Sequence, residues 1–176
     1  NVEAGETVTC IFTNTKQATV TVVKVLSGDP TGLTTSFGFT SSFGDFSLDP
    51  VNTTDTEVFT DVTPGEDYSI TESVIADSWG LFSATCGGQG ESVNLATREI
   101  SNIDLDPGES LTCTFTNRRF GSITVEKIIS GDPGELTTEF DYTSDFGGGF
   151  MLDPVNGDAS LDFVDVAPSG EYILTE

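Results

Sequence analysis

Three stretches of the sequence each place one reactive polar side chain in a row of apolar ones. Lys24 lies in the stretch VTVVKVL, Glu72 ends the stretch YSITE, and Asn117 ends the stretch CTFTN. Alternate side chains of an extended strand face the same way, so an amine, a carboxyl group and a carboxamide are all predicted to point into the interior. A buried ammonium and a buried carboxylate are costly unless they are paired or neutralised.

Two interpretations of these residues require no reaction. In the first, Lys24 and Glu72 form a buried salt bridge, and Asn117 fills a remaining hydrogen-bond vacancy. In the second, the three side chains lie near strand ends and extend their polar groups to water. Both interpretations would suffice for residues that occur once.

The same pattern, however, occurs twice in the chain. The stretch VTVVKVLSGDPTGLTTSFGFTSSFG returns as ITVEKIISGDPGELTTEFDYTSDFG, and Cys10 lies 103 positions before Cys113. In the other copy the lysine is Lys127, the glutamate is Glu176 and the asparagine is Asn14. A lysine at the same inward position of both copies argues against coincidence.

The boundaries of this repeat do not coincide with those of the chain. Residues 1–17 match the end of a unit, residues 18–119 form a complete unit, and residues 120–176 match only the first part of another. We therefore expect residues 1–17 to supply a terminal strand, Thr7–Asn14, that completes an incomplete unit, either in a neighbouring subunit or in a preceding unit of one long polypeptide. Strand addition of this kind gives both affinity and register.

The fold class is predicted to be all-β, as tandem antiparallel β-sandwiches. Gly and Pro punctuate the chain, and no segment repeats apolar residues at helical spacing for two turns. Short strands of this number and spacing are typical of a sandwich. The strands predicted for the complete unit are 19–26, 36–40, 46–48, 56–60, 68–74, 81–86, 92–95, 99–103 and 110–117.

On these residues the sequence resembles the prealbumin-like, Cna-B or SpaA type of repeat found in bacterial surface stalks and pilins. Lys24 matches the first-strand lysine of that family, Glu72 the acid of its Y-x-x-x-E box, and Asn117 its last-strand asparagine. The resemblance covers the whole unit. It implies an Ig-like or prealbumin-like sandwich in which Lys24 and Asn117 form a spontaneous isopeptide bond, with Glu72 as the catalytic residue of this autocatalytic step. No sortase signal or pilin-type linking motif accompanies it.

Physical chemistry agrees with what the resemblance implies. Desolvation favours the neutral forms of a buried amine and a buried acid. The lysine amine can then attack the carboxamide carbon of the asparagine, while the glutamic acid shuttles protons and ammonia leaves. Between units, the same bond is expected from Lys127 to a neighbour's Asn14, with Glu176 as the acid.

The cysteines predict one disulfide. Cys86 shares a predicted strand face with Phe82 and Ala84, and Cys113 faces the core in the last strand, so a bond between them would join neighbouring strands. Such a bond implies an oxidising, extracellular setting. Cys10 is left over as a free thiol.

Composition excludes several classes of function. The net charge is -23, with 29 acidic residues against six Lys and Arg, and there is no His. We therefore expect no nucleic-acid partner and no membrane insertion. Without His, a nucleophile motif or a cofactor loop, we expect neither an enzyme nor a cofactor. Aspartates in turns, such as Asp49 and Asp153, match no calcium-binding spacing, so no metal site is predicted.

The sequence thus favours a structural protein, a repeat segment of an extracellular fibre, pilus or cell-surface stalk whose partners are other copies of itself, head to tail. The alternative is an adhesin-type module that presents loops to glycan or protein. Trp79, Phe43 and Phe46 could stack on a sugar, although core packing is the stronger expectation. Asn52 begins the one N-glycosylation sequon, in a predicted turn.

Overall fold

The computed structural model describes residues 2–28, 36–50, 53–73, 78–87, 90–131, 139–154, 157–168 and 170–176. Every helix or strand assigned within these ranges is a β-strand. No described segment forms a helix that is long and apolar enough to cross a membrane. The predicted glycosylation residue, Asn52, lies outside the described residues.

Nine strands, β1 to β9, form the complete unit. They are β1 Ala18–Ser27, β2 Phe37–Ser41, β3 Phe46–Leu48, β4 Thr54–Val62, β5 Gly65–Glu72, β6 Trp79–Thr85, β7 Ser92–Asn94, β8 Glu99–Leu105 and β9 Ser110–Arg119. The sequence predicts these strands in the same order, and the bounds differ by one to three residues at most ends. The predicted all-β class is confirmed.

The nine strands form two sheets. One sheet has the order β4-β1-β9-β6, and the other has the order β3-β2-β5-β8-β7. Among the described pairs of this unit, β1 and β9 alone run parallel, and all others are antiparallel. The first and last strands of the unit therefore lie side by side, a feature that the prediction of antiparallel sandwiches did not contain.

A continuous hydrophobic core fills the space between the sheets. Along β1 every second residue from Ala18 to Leu26 is buried, and the residues between them are half-buried, because successive side chains face opposite sides of a strand. The strand β9 alternates in the same way. Buried side chains from both sheets form this core, among them Val20, Val22, Phe37, Phe39, Ile70, Ile100 and Phe115.

The strand β6 departs from the predicted alternation. Its pairing with β9 shifts register directly after Leu81, so Leu81 packs against the core while 47% of Phe82 is exposed. Simple alternation predicts that Phe82 shares a strand face with Ala84 and Cys86, and this prediction is wrong for Phe82. Its ring instead lies 3.2 Å from the guanidinium carbon of Arg118, a cation–π contact.

Five strands belong to the second copy of the repeat. They are β10 Gly121–Ile128, β11 Phe140–Ser144, β12 Gly148–Leu152, β13 Asp158–Val166 and β14 Leu174–Thr175. The strand β10 pairs with β13, and β11 lies between β12 and β14. Their shared core is small and centres on Val125, Tyr142 and Leu152.

The segment 2–17, which precedes β1, contains no strand. Its apolar side chains lie in water: Val8 is 55% exposed, Ile11 84% and Phe12 89%. Phe115, the repeat counterpart of Phe12, is fully buried. The predicted strand Thr7–Asn14 is thus not formed within this chain, and its role in a neighbour stays a prediction.

The alternation of β9 leads to a test of the fold. Phe115→Ala should lower the free energy of unfolding by about 3–5 kcal/mol, because it leaves a cavity where the ring packs against Phe39. Urea denaturation measures the change. Thr112→Ala, on the exposed face of the same strand, is the matched control and should change stability by less than about 0.5 kcal/mol. Equal effects of the two substitutions would contradict the assigned faces.

Candidate functional site

Three strands bring the predicted trio together. Lys24 lies on β1 and Asn117 on the adjacent β9, while Glu72 ends β5 in the facing sheet. In the parallel register Asn117 stands opposite Leu26, two residues beyond the lysine. The lysine stem therefore has to lean along the strand, toward its C-terminal end, to reach the carboxamide.

The three side chains contact one another in the core. The Lys24 ammonium nitrogen Nζ donates to Glu72 Oε1 at 2.5 Å and also to Asn117 Oδ1. Asn117 Nδ2 donates to Glu72 Oε2 at 3.1 Å. All three residues are fully buried. The interpretation in which the three side chains extend their polar groups to water is therefore wrong. Instead, each of the three side chains contacts the other two.

Burial sets the protonation of the lysine. It lowers the pKa of Lys24 to about 8, because desolvation penalises the ammonium more than the charge and hydrogen bond of Glu72 stabilise it. The ring of Phe37 adds an aromatic face 4.3 Å from the nitrogen. A substantial fraction of the amine is thus neutral and nucleophilic near neutral to mildly alkaline pH.

Glu72 is placed to serve both partners. One of its oxygens accepts from the lysine nitrogen and the other from the amide nitrogen of Asn117. A carboxyl group in this position can take a proton from an attacking amine and pass one to a departing amide nitrogen. The arrangement can therefore support transfer of an acyl group from nitrogen to nitrogen without any added cofactor.

The second copy of the repeat contains a separate, equivalent site with two of its three predicted residues in contact. Lys127 Nζ donates to Glu176 Oε1 at 2.7 Å, and the Tyr142 hydroxyl donates to Glu176 Oε2 at 3.2 Å. Phe140 lies under the lysine, 4.0 Å from its nitrogen, as Phe37 does in the complete unit. Lys127 and Glu176 are thus brought together as expected.

The lysine pKa in this second site is shifted in the opposite direction from the lysine pKa in the first. The lysine and glutamate side chains are 18% and 51% exposed. A hydrogen bond to Glu176 raises the pKa of Lys127, and the same bond lowers the pKa of Glu176. Both groups are therefore held in their charged forms. The predicted third member, Asn14, lies in the strand-free segment and is exposed.

The structure shows features of both sites that the sequence argument missed. Phe37 and Phe140 occupy equivalent repeat positions, and each covers a lysine. Tyr142 takes the repeat position of Phe39, where its hydroxyl can reach the glutamate. The signal was present in the paired stretches SFGF and EFDY, which repeat an aromatic residue two positions apart.

The predicted disulfide is present. Cys86, directly after β6, is bonded to Cys113 on β9, and both residues are buried. Cys113 lies on the same face of β9 as Asn117, so one strand carries both the disulfide and the amide of the trio. Cys10 is a free, exposed thiol.

The residues considered for other functions lie elsewhere. Trp79 is only 6% exposed, and Phe43 and Phe46 pack against the core, each in ring contact with Phe59. They contribute to packing, as the stronger sequence expectation had it. Within the described ranges no group of three or more Cys, Asp or Glu side chains is placed to hold a metal ion.

Comparison with known proteins assigns this architecture. The family described as "Prealbumin-like fold domain", of the SpaA type, matches residues 20–119. That match covers more than half of the chain, so the chain belongs to this family. A search of curated proteins gives no match.

Two solved structures are similar at low identity. The Bacillus anthracis TIE protein is 14% identical, with a TM-score of 0.38 over 92% of this chain and 31% of that chain. A streptococcal ancillary pilin is 10% identical, with a TM-score of 0.36 over 90% of this chain and 50% of that chain. The chain thus spans half or less of each of these proteins.

The lowered lysine pKa predicts a specific pH dependence. In Asn117→Ala the amine has no carboxamide to attack and can still titrate. Its folded pKa of about 8 lies below the unfolded value of 10.5, so between these values the unfolded chain binds more protons. The free energy of unfolding should therefore rise from pH 8 to pH 10.5, by at most about 1.4 kcal/mol per pH unit.

Urea denaturation across this pH range measures the effect. The control is the double variant Lys24→Met with Asn117→Ala, which removes the titrating amine and keeps every other ionisable group. Subtracting its profile isolates Lys24. A difference profile that is flat or falls with pH would contradict the assigned burial of the amine.

Proposed function

We propose that this chain is a structural segment of an extracellular fibre, pilus or surface stalk, in which an isopeptide bond between Lys24 and Asn117 locks the complete unit. The observation that carries the proposal is the fully buried triangle of Lys24, Glu72 and Asn117. A pair that served only as a salt bridge would not need a carboxamide in contact with both of its members.

The proposed reaction balances within the three side chains. The neutral amine of Lys24 attacks Cγ of Asn117, and Glu72 relays a proton from the lysine nitrogen to the amide nitrogen. The Nζ–Cγ bond forms, the Cγ–Nδ2 bond breaks, and ammonia leaves. Each site reacts once, so the protein is both reactant and product and turns over no substrate.

The bond has a mechanical purpose in a stalk. It would join β1 to β9 and close a loop from residue 24 to residue 117, which constrains the unfolded chain by about 4–5 kcal/mol on the loop-entropy estimate used for disulfides. The disulfide from Cys86 to Cys113 anchors the same last strand to β6. Both links oppose the separation of β9 from the sheet.

The disulfide also supports an extracellular setting, because such bonds persist in oxidising compartments. The strong negative charge suits a solvated surface protein. The adhesin alternative relied on Trp79 and on the loop of Phe43, and the burial of these aromatic residues favours the structural role.

The finer proposal is that units assemble head to tail by strand addition, with Lys127, Glu176 and a neighbour's Asn14 forming the same bond between chains.

Intact mass under reducing, denaturing conditions tests the bond in the complete unit. The chain should weigh about 17 Da less than its sequence, the mass of one ammonia. Glu72→Gln, which keeps the shape of the side chain but cannot relay protons, should restore the full mass, as should Lys24→Met. The control Lys16→Met removes an exposed lysine and should leave the mass deficit unchanged.

A peptide map locates the bond. Digestion should yield a branched peptide that joins the Lys24 and Asn117 fragments. Full sequence mass in the folded wild-type chain would overturn the proposal and leave the noncovalent cluster as the correct interpretation.

A further inference from the structure

The backbone of Glu72 forms two hydrogen bonds with one residue, Arg98. Glu72 is the last residue of β5, and Thr71–Glu99 is the last pair of the ladder between β5 and β8 before it. The next position on the partner is Arg98, directly before β8 begins. The Glu72 N–H donates to the Arg98 carbonyl oxygen at 2.9 Å. Arg98 Nε donates in return to the Glu72 carbonyl oxygen at 3.1 Å.

The second of these bonds replaces a bond that the backbone would normally form. In a hydrogen-bonded antiparallel pair the two residues exchange both of their N–H···O bonds. Arg98 has a φ of 58°, in the left-handed region that residues other than Gly adopt uncommonly, so its backbone leaves the extended ladder here. Its Nε–H supplies the second bond instead. The arginine side chain thus closes the ladder at the residue that carries the catalytic carboxyl group.

The turn that presents Arg98 is fixed by other hydrogen bonds. It joins β7 to β8, and the N–H groups of Ala96 and Thr97 donate to Asn94 Oδ1 at 3.0 and 3.2 Å. An asparagine side chain commonly stabilises a turn in this way. We therefore expect the turn to persist when the side chain at position 98 is replaced, together with the bond from the Glu72 N–H. Such a replacement tests the Nε donor rather than the turn.

The position of this strand end determines what the Glu72 carboxyl group can reach. Its two oxygens contact different partners, the Lys24 nitrogen at 2.5 Å and the Asn117 amide nitrogen at 3.1 Å. Proton transfer requires hydrogen-bond reach of both partners, and a misplacement of about 1 Å can slow a reaction about a hundredfold. Toward β2 the strand end is fixed by Ser73, whose N–H donates to the Gly38 carbonyl oxygen. Arg98 fixes it toward β8.

We propose that Arg98 is a positioning residue for the isopeptide reaction. Its Nε–H fixes the Glu72 carbonyl group and thereby keeps the carboxyl group between Lys24 and Asn117. The inference rests on the proposed function and adds Arg98 to the residues on which that reaction depends. The described hydrogen bond of its side chain goes to the Glu72 backbone and not to a reacting atom. The donor nitrogen, rather than the positive charge, therefore carries the role.

Two replacements of similar length separate the donor from the charge. In Arg98→Gln the amide nitrogen is as many bonds from the backbone as the arginine Nε, so it can donate to the Glu72 carbonyl oxygen without a charge. Arg98→Met has neither the donor nor the charge. Chain isolated unfolded and unreacted in urea is diluted to start folding, and intact mass after reduction follows the loss of about 17 Da. Circular dichroism gives the folded fraction, so the rate is expressed per folded molecule.

Arg98→Met should slow bond formation per folded molecule by about tenfold or more, because the carboxyl group loses one of its two backbone anchors. Arg98→Gln should stay within about threefold of the wild-type rate, because the donor is restored. A purely structural role would lower the folded fraction and leave this rate unchanged. If Arg98→Met folds poorly, Arg98→Gly removes the same donor and adopts the left-handed φ without strain.

Two results would overturn the inference. One is a wild-type rate in Arg98→Met, and the other is an equal loss in Arg98→Gln and Arg98→Met, which would assign the effect to the charge. A wild-type chain that folds and keeps its full sequence mass contradicts the proposed function itself, and the inference falls with it. The wild-type sample therefore distinguishes failure of the proposed bond from failure of the proposed role of Arg98.

Discussion

The burial of one lysine amine is the constraint on which the rest of the complete unit depends. An ammonium group in a core of Val, Ile and Phe side chains is strongly unfavourable unless polar partners surround it. Lys24 has such partners in Glu72, from the facing sheet, and Asn117, from the neighbouring strand. The two sheets are thereby fixed to each other at one point, and β1 is fixed to β9. Loss of any member would leave the others buried without their partners.

The two copies of the repeat separate the effect of residue type from the effect of burial. Both place a lysine beside a glutamate and over a phenylalanine ring. In the complete unit burial lowers the lysine pKa, and in the second unit a partly exposed ion pair raises it. The residues alone therefore do not make a reactive amine. Burial of the lysine does so, because desolvation disfavours its charged form.

Much of the site follows from the sequence because period-two alternation is a strong signal in strands that are buried on one face. It placed Lys24, Glu72 and Asn117 inside, and it paired Cys86 with Cys113. Alternation failed at Phe82, where a register shift in β6 turns the ring outward. A register shift of this kind depends on how two strands pair, and no local residue pattern reveals it.

Other features were beyond the sequence because they depend on tertiary arrangement. Strand periodicity predicts which side chains share a face but not which strands are neighbours. The parallel pairing of β1 with β9 therefore required the structure. The same limit applies to Phe37 beneath Lys24, whose position depends on how the two sheets pack. The resemblance to a family supplied the link between the three reactive residues, which the spacing in the chain could not.

The parallel arrangement explains why a bond at this position would resist load. A pull on the start of β1 and the end of β9 acts in opposite directions along two adjacent strands, and so shears their shared hydrogen bonds together. Asn117 lies two residues from the end of β9 at Arg119. A link from Lys24 to Asn117 would therefore carry the tension along the first part of β1 and directly out of the unit. The chain between Lys24 and Asn117, which includes β2 to β8 and both cysteines of the disulfide, would bear none of the tension.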